Sequence, residues 1–281
     1  MKNSKIKKRI FIVGCPRSGT TFLQSLLLTH SKINSFPETH FFDRGFGGNY
    51  LWLKNTPLRG VYLNHILRSW INKIKKNFDK ELPSVPIKLR TANNIYLLID
   101  LLDKITLKKG KSIWVEKTPS HLFHIDIISS FLPNAIFIHI IRNGEDVVNS
   151  LQKVSIISKN RGLRQWKNYQ DIEFCKMKWE HSIQESYKYL SNINHIILNY
   201  DKLKNQPKLE MEKLYRKLHI NNESQNIVHY NDSAKSLIFD HEVWKEKNIS
   251  GIDNNDIKEK LKDLKLDKKY YNLLKNEIRY I

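Results

Sequence analysis

The sequence predicts an α/β protein, a three-layer fold in which a central parallel sheet is flanked by helices. Three observations carry this expectation. Four apolar runs, residues 10–13, 113–115, 135–141 and 195–198, are continuous rather than alternating, as strands buried on both faces are. A helical pattern follows each run: Phe22, Leu23, Leu26 and Leu27 recur at one-turn spacing after the first, and Val147, Val148 and Leu151 after the third. Strands alternating with helices require right-handed crossovers and hence a parallel sheet, which gathers ligands at the carboxyl ends of its strands. The chemistry is therefore expected just beyond Val13, Val115 and Ile141.

Bulk properties set the outer bounds. A chain of 281 residues, 40% hydrophobic and 11% aromatic, has enough apolar material for a large core, and a single domain over residues 1–281 is expected. Pro83, Ser84 and Pro86 mark one loop between helical stretches. The net charge of +20 is compatible with nucleic acid, an acidic polysaccharide, a membrane surface or a polyanionic nucleotide as partner. Lys, Asn and Ile are abundant everywhere along the chain, however, so a compositional drift with no specific partner explains the sum equally well. No run of about 18 apolar residues exists, so no integral membrane segment is expected. The basic stretch 2–9 is followed by an apolar run that ends at Val13, too short for an export signal. Cys15 and Cys175 form no disulfide framework and have no metal-ligand spacing, which points to a reducing cytoplasm. Both cysteines, with His121 and His139, are read as packing residues.

After the first run, Gly14-Cys15-Pro16-Arg17-Ser18-Gly19-Thr20-Thr21 stands between a strand and a helix, where backbone N–H groups wrap an anion. Its glycines keep the spacing of the nucleotide-triphosphate loop G-x-x-x-x-G-K-[ST], which makes the predicted fold P-loop-type. Thr20 replaces the lysine, and the cation has moved inside the loop to Arg17, within reach of a 5′-phosphate and its bridging oxygen. The octet resembles the donor-binding loop of sulfotransferases that use 3′-phosphoadenosine-5′-phosphosulfate (PAPS), in which a basic residue precedes Ser-Gly-Thr-Thr. That resemblance implies that Arg17, Ser18, Gly19, Thr20 and Thr21 bind the donor, with Cys15 and Pro16 in the same loop.

Sulfuryl transfer needs a base for the acceptor's proton and a cation where charge grows on the departing oxygen. The phosphate product, adenosine 3′,5′-bisphosphate, leaves readily, so no metal is demanded. Glu38, in Phe36-Pro37-Glu38-Thr39-His40-Phe41-Phe42, is the expected base, in an apolar segment able to desolvate a carboxylate and raise its pKa. The segment is similar to the Pro-Glu-Thr or Glu-Glu-Thr found in the tyrosylprotein-type and related bacterial branches, where the Glu before Thr is the base. That branch carries Arg where this chain has His40, which argues against a peptide-tyrosine acceptor and leaves His40 as the second candidate base. Lys117, in Trp114-Val115-Glu116-Lys117-Thr118-Pro119-Ser120-His121, follows the second run and precedes a proline-started helix. It is the expected catalytic cation opposite Arg17, and the family's bacterial members show a similar E-K-T-P-x-H block.

At the third run, Arg142 ends the strand, Asn143-Gly144 turns, and Ser150 follows eight residues on, so a guanidinium and a hydroxyl converge on one phosphate. The segment resembles the family's 3′-phosphate motif R-[DN]-[GP]-x-D-[VA]-x-x-S. Asn199-Tyr200-Asp201-Lys202-Leu203 resembles the Y-E-D-L segment whose Tyr approaches adenine, which assigns Tyr200 to the base. Trp244-Lys245, with Asn248-Ile249-Ser250, is similar to a late segment that folds over the nucleotide.

The chain thus reads as a cytoplasmic bacterial enzyme that moves a sulfuryl group from PAPS to a hydroxyl or amine of a small molecule or saccharide. Residues 43–110 and 220–281 are left to form the acceptor site or a cap. A P-loop-type small-molecule or nucleotide kinase is the nearest alternative, opposed by Thr20 in the lysine position. A nucleic-acid-binding protein is the alternative of another class, opposed by the lack of a basic stripe interleaved with stacking aromatics. Nothing in the sequence bears on oligomeric state.

Overall fold

The computed structural model describes residues 5–47, 56, 58–77, 84–160, 162, 164–230 and 264–277. In chain order its elements are β1 (Lys8–Gly14), α1 (Thr20–Leu28), β2 (Ile33–Ser35), α2 (Phe41–Phe46), α3 (Leu58–Asn77), α4 (Thr91–Lys108) and β3 (Ile113–Lys117). A 3₁₀ turn (Pro119–His124) leads to α5 (Ile125–Phe131), β4 (Ile136–Ile141) and α6 (Gly144–Asn160). A second 3₁₀ turn (Arg164–Gln170) precedes α7 (Ile172–Tyr187), β5 (His195–Asn199), α8 (Tyr200–Asn205) and α9 (Pro207–Lys217). A third (Ser224–His229) follows α9, and α10 (Lys269–Glu277) is the last described element.

The five strands are parallel and lie in the order β2-β3-β1-β4-β5. From β1 the chain goes to one side for β2 and β3, then crosses to the other for β4 and β5. The strand order therefore reverses direction at β1, and crevices at such reversals hold ligands. Register sharpens the point: Ile12 pairs with Lys117 and Gly14 with Ile140, so the tips of β3 and β4 flank the loop that leaves β1.

Side chains that alternate along β1 divide the core. Phe11 and Val13 face α3, α4 and α5, where Phe11 lies between Trp114 and Phe137 with ring centroids 5.3 and 5.5 Å away. Ile10 and Ile12 face Leu23, Leu26 and Leu27 of α1 and Met211 and Leu214 of α9. A third cluster joins Cys15, Ile141, Val147 and Leu151 to Trp179 of α7 and Tyr271 and Leu274 of α10.

The four expected strands are present, each with slightly different ends, and every one is followed by helix. Two details differ from expectation. β2 was not foreseen: three residues carry no periodicity, and its strand character comes from pairing with β3. The helix expected at Pro119 opens as a 3₁₀ turn before α5 begins. The Ser84–Pro86 part of the expected loop lies between α3 and α4 as read, whereas Pro83, Trp244 and Lys245 lie outside the described residues. No described helix is long and apolar enough to cross a membrane.

Candidate active site

The loop after β1 is shaped by backbone. A Cβ on Gly14 would stand 2.6 Å from the Ile140 carbonyl oxygen, so β1 and β4 could not approach as they do with any other residue there. Arg17 has φ 72° and Gly19 φ 94°, and the Ser18 amide donates to the Cys15 carbonyl at 3.2 Å. A left-handed arginine costs about 1–2 kcal/mol, strain that proteins keep at ligand clamps. Gly19 is required twice over, because a Cβ there would lie 2.1 Å from the Tyr200 ring.

Arg17, Ser150, Arg142 and Tyr200, drawn from three strand ends, meet at this loop. Arg17 Nε donates to Ser150 Oγ at 3.1 Å, and Arg142 Nη1 donates to the Arg17 carbonyl at 3.2 Å. The Arg142 guanidinium also lies 4.5 Å over the Tyr200 ring. Burial, and then the charge of Arg142, pull the Arg17 pKa below its ordinary value. The carboxylate on Arg142 is that of Asp146, 3.7 Å away and about half exposed, a weak counter-ion. Ser18 Oγ and Arg142 Nε are buried without a hydrogen-bond partner. Two crowded guanidiniums beside unfilled donors fit a bound polyanion.

Lys117, 2% exposed at the tip of β3, connects this cradle to the expected base. Its Nζ donates to Thr21 Oγ1 at 3.3 Å and pairs with Glu38 Oε1. On the other carboxylate oxygen, His40 Nε2 lies 3.0 Å from Glu38 Oε2, while His40 Nδ1 lies 3.0 Å from Asp43 Oδ2. Ser120 Oγ donates to the same Asp43 oxygen at 2.8 Å. Burial opposes the proton on His40, but hydrogen bonds to Asp43 and Glu38 outweigh it and raise the pKa to about 9. Burial likewise opposes charge on Asp43, and His40 above all holds that carboxyl far below its usual range. The apolar surroundings expected for Glu38 are real, since Phe36, Phe41 and Phe42 are buried, yet its two oxygens touch cations.

Sequence reasoning missed what holds the base in place. Gln24 donates to the Phe36 carbonyl at 2.8 Å, and Trp70 Nε1 donates to the Pro37 carbonyl at 3.3 Å. Glu116, wholly buried, accepts from Thr39 N at 3.2 Å, Thr39 Oγ1 at 2.9 Å and Thr118 Oγ1 at 2.6 Å, all on Oε1. Its Oε2 lies 3.0 Å from His121 Nδ1. The Phe42 amide donates to His121 Nε2 at 3.3 Å, so Nδ1 must be the atom that donates to Glu116. Burial alone would push the Glu116 carboxyl up, but His121 and the Thr118 and Thr39 hydroxyls hold it below its usual range. The signal was adjacency: Glu116 precedes Lys117, and an acid at a buried strand tip needs partners. Cys15, Cys175, His121 and His139 are all buried, and burial pushes the Cys15 thiol up to about 12.

Comparison with known proteins adds independent information. A family model described as "Sulfotransferase family" matches residues 9–224. Protein-tyrosine sulfotransferase A of Caenorhabditis elegans is 23% identical over 219 residues, 73% of this chain and 48% of that protein. Protein-tyrosine sulfotransferase 1 of Danio rerio is 25% identical over 217 residues, 75% of this chain and 53% of the relative. An uncharacterized protein of Aquifex aeolicus (strain VF5) is 28% identical over 154 residues, 55% of this chain and 18% of its own. The chain thus spans about half the length, or less, of the curated relatives it matches. Among solved structures, the sulfotransferase domain from the curacin biosynthetic pathway has a TM-score of 0.56 at 17% identity, covering 99% of both chains. The sulfotransferase domain from the Synechococcus PCC 7002 olefin synthase has a TM-score of 0.58 at 16% identity, covering 98% of this chain and 96% of that one. These structural likenesses bear on the fold.

Proposed function

Because the chain belongs to the sulfotransferase family, we propose that it transfers a sulfuryl group from PAPS to an acceptor hydroxyl or amine by in-line displacement. The observation that supports this reading is the interlock of two strand tips, in which Arg17 bonds Ser150, Arg142 bonds the Arg17 carbonyl, and Ser18 Oγ and Arg142 Nε lack partners among the described residues. Such a cradle suits a nucleotide phosphorylated at both ends of its ribose. In this reading the 5′-phosphosulfate lies against Cys15, Pro16, Arg17, Ser18, Gly19, Thr20 and Thr21. Arg142 and Ser150 take the 3′-phosphate, and Tyr200 the adenine.

PAPS, when bound, supplies the sulfuryl group and a phosphate leaving group that needs no metal. Glu38 accepts the acceptor's proton, its carboxylate held in place by Lys117 on one oxygen and His40 on the other. His40 is the weaker candidate for base: with a pKa of about 9 it is protonated at neutral pH and both nitrogens are engaged. Its role is to hold Glu38. Lys117, already in contact with Thr21 and Glu38, places positive charge between donor loop and base, and Arg17 does so from within the loop.

The acceptor is read as a small molecule or a saccharide, because His40 stands where the tyrosylprotein branch carries Arg. Residues 43–110, which include α3 and α4, and residues 220–281 supply its wall or a cap. Buried, unpaired Cys15 and Cys175 suit a reducing cytoplasm. Calorimetric titration with adenosine 3′,5′-bisphosphate, ATP and an oligonucleotide tests the reading. Binding in the micromolar range, an order-of-magnitude expectation, is predicted for the bisphosphate alone. Tighter binding of ATP would return the chain to the kinases.

A further inference from the structure

α3 has one face that the core uses and one that it does not. Leu63, Ile66, Leu67, Trp70, Ile71 and Ile74 are buried, whereas Leu58, Val61, His65, Arg68, Asn72 and Lys76 form an exposed stripe at three- and four-residue spacing. Beside this stripe runs the extended segment 84–90, and between the two lies a groove of about 690 Å³ whose lining includes Val61, His65, Arg68, Lys76 and Ile87. Residues 58–77 and 84–99 contain no Asp or Glu, while Arg68, Lys75, Lys76, Lys88 and Arg90 add positive charge to this side.

The aliphatic side chains here are held out in water by a rigid support. Ile87 is 69% and Leu89 61% exposed, and Leu58 and Val61 are exposed beside them. Under them Asn94, completely buried, shares the two hydrogens of its Nδ2 among the carbonyls of Gly60 (2.9 Å), Lys88 (2.9 Å) and Arg90 (3.0 Å). Its carbonyl accepts from Asn64 Nδ2 at 2.8 Å, which also donates to the Pro86 carbonyl at 3.0 Å. A buried amide network thus fixes the backbone that carries Ile87 and Leu89 against α3. Exposed aliphatics on a fixed backbone, ringed by cations and with no acid among the described residues 58–77 and 84–99, are complementary to an interface with apolar depth and a negative surface.

We propose that this face docks on a lipid bilayer carrying anionic headgroups, with Ile87, Leu89, Leu58 and Val61 entering the headgroup layer and Arg68, Lys76, Lys88 and Arg90 meeting lipid phosphates. The groove lining contains Val61 and Ile87 and, apart from the His65 imidazole, no ring, whereas single-stranded nucleic acid is held by a series of aromatic platforms on which successive bases stack, so the face favours lipid. The inference stands independently of sulfuryl transfer, since none of these residues belongs to the donor cradle or the base cluster.

Co-sedimentation of the full chain with phosphatidylcholine vesicles, alone or with one-third phosphatidylglycerol, is the test, with an oligonucleotide as competitor. Attachment to the anionic vesicles is expected to exceed that to neutral ones by at least about tenfold. Each cation at such a surface strengthens attachment about fivefold, so Arg68→Glu with Lys76→Glu is expected to lower it about 25-fold or more. Ile87→Ser with Leu89→Ser is expected to lower it about tenfold. Unchanged affinity for adenosine 3′,5′-bisphosphate and an unchanged melting temperature certify that the variants are folded. Equal attachment to both kinds of vesicle, indifference to either double variant, or displacement by equimolar oligonucleotide overturns the proposal.

Discussion

The two halves of the candidate active site are built on opposite electrostatic plans. At the tips of β1 and β4, cations face cations: Arg17 and Arg142 interlock, Ser18 Oγ and Arg142 Nε have no partners among the described residues, and the acid paired with Arg142 is half-exposed Asp146. At the tip of β3 each charged side chain has a partner, although Asp43 Oδ1 is buried without a hydrogen bond among the described residues. Lys117 meets Glu38, Glu38 meets His40, His40 meets Asp43, and Glu116 is saturated by Thr39, Thr118 and His121. The first half is incomplete without an anion, so its energetics belong to binding. The second is largely paired within itself, with Asp43 Oδ1 the buried oxygen left without a hydrogen-bond partner among the described residues, so in the proposed reading its energetics belong to holding a base still.

If that division is right, variants in the two halves move different quantities. The largest effect is expected from Glu38→Ala: turnover falls by about 10³-fold, as loss of a positioned base entails, while calorimetric affinity for adenosine 3′,5′-bisphosphate changes less than about twofold. Lost affinity with surviving turnover would move Glu38 to the donor half. Arg142→Ala should do the reverse and weaken the bisphosphate about 50-fold, the scale of a charge-assisted contact, with much less effect on adenosine 5′-monophosphate. Equal losses for the two nucleotides would remove Arg142 from the 3′-phosphate.

Glu116→Gln sharpens the comparison within the base half. The Phe42 amide fixes His121 with Nδ1 as donor, so an amide nitrogen on that side sets donor against donor. Turned over, it meets the Thr39 amide instead. We expect turnover about tenfold lower and stability about 1–3 kcal/mol lower, with bisphosphate affinity retained; a coupled loss of affinity would show that the halves are one unit. The smallest effect is the pH dependence of His40. Its pKa is raised from 6.5 to about 9, so the stability it adds is fully present below about pH 6.5 and fades as pH rises through about 9. Melting temperatures from pH 6 to 10 should fall more steeply for the parent chain than for His40→Gln. Parallel curves would detach His40 from the stability of this cluster.

Much of the donor half was legible because it is local. Gly14 to Thr21 lie in one octet, and Arg142 and Ser150 share one turn and helix, so spacing alone brings the members of each group together. The base half was legible only in its principals. Glu38 and Lys117 stood out at loop and strand tip, but their pairing spans 79 residues, and Asp43, Gln24 and Trp70 carried no local signal. β2 escaped for the same reason, since three residues become a strand only when β3 lies beside them.

What the amino-acid order determined by itself was the alternation of buried strands and helices, the glycine-spaced loop between Gly14 and Gly19, and the residue types waiting at each strand tip. Tertiary structure decided that β3 and β4 would both pair with β1, and so that Lys117 and Arg142 would flank one loop. Local preference is set by neighbours a turn or a pleat away. The choice among parallel partners is made by side chains scores of residues apart, when both faces of the sheet are buried at once.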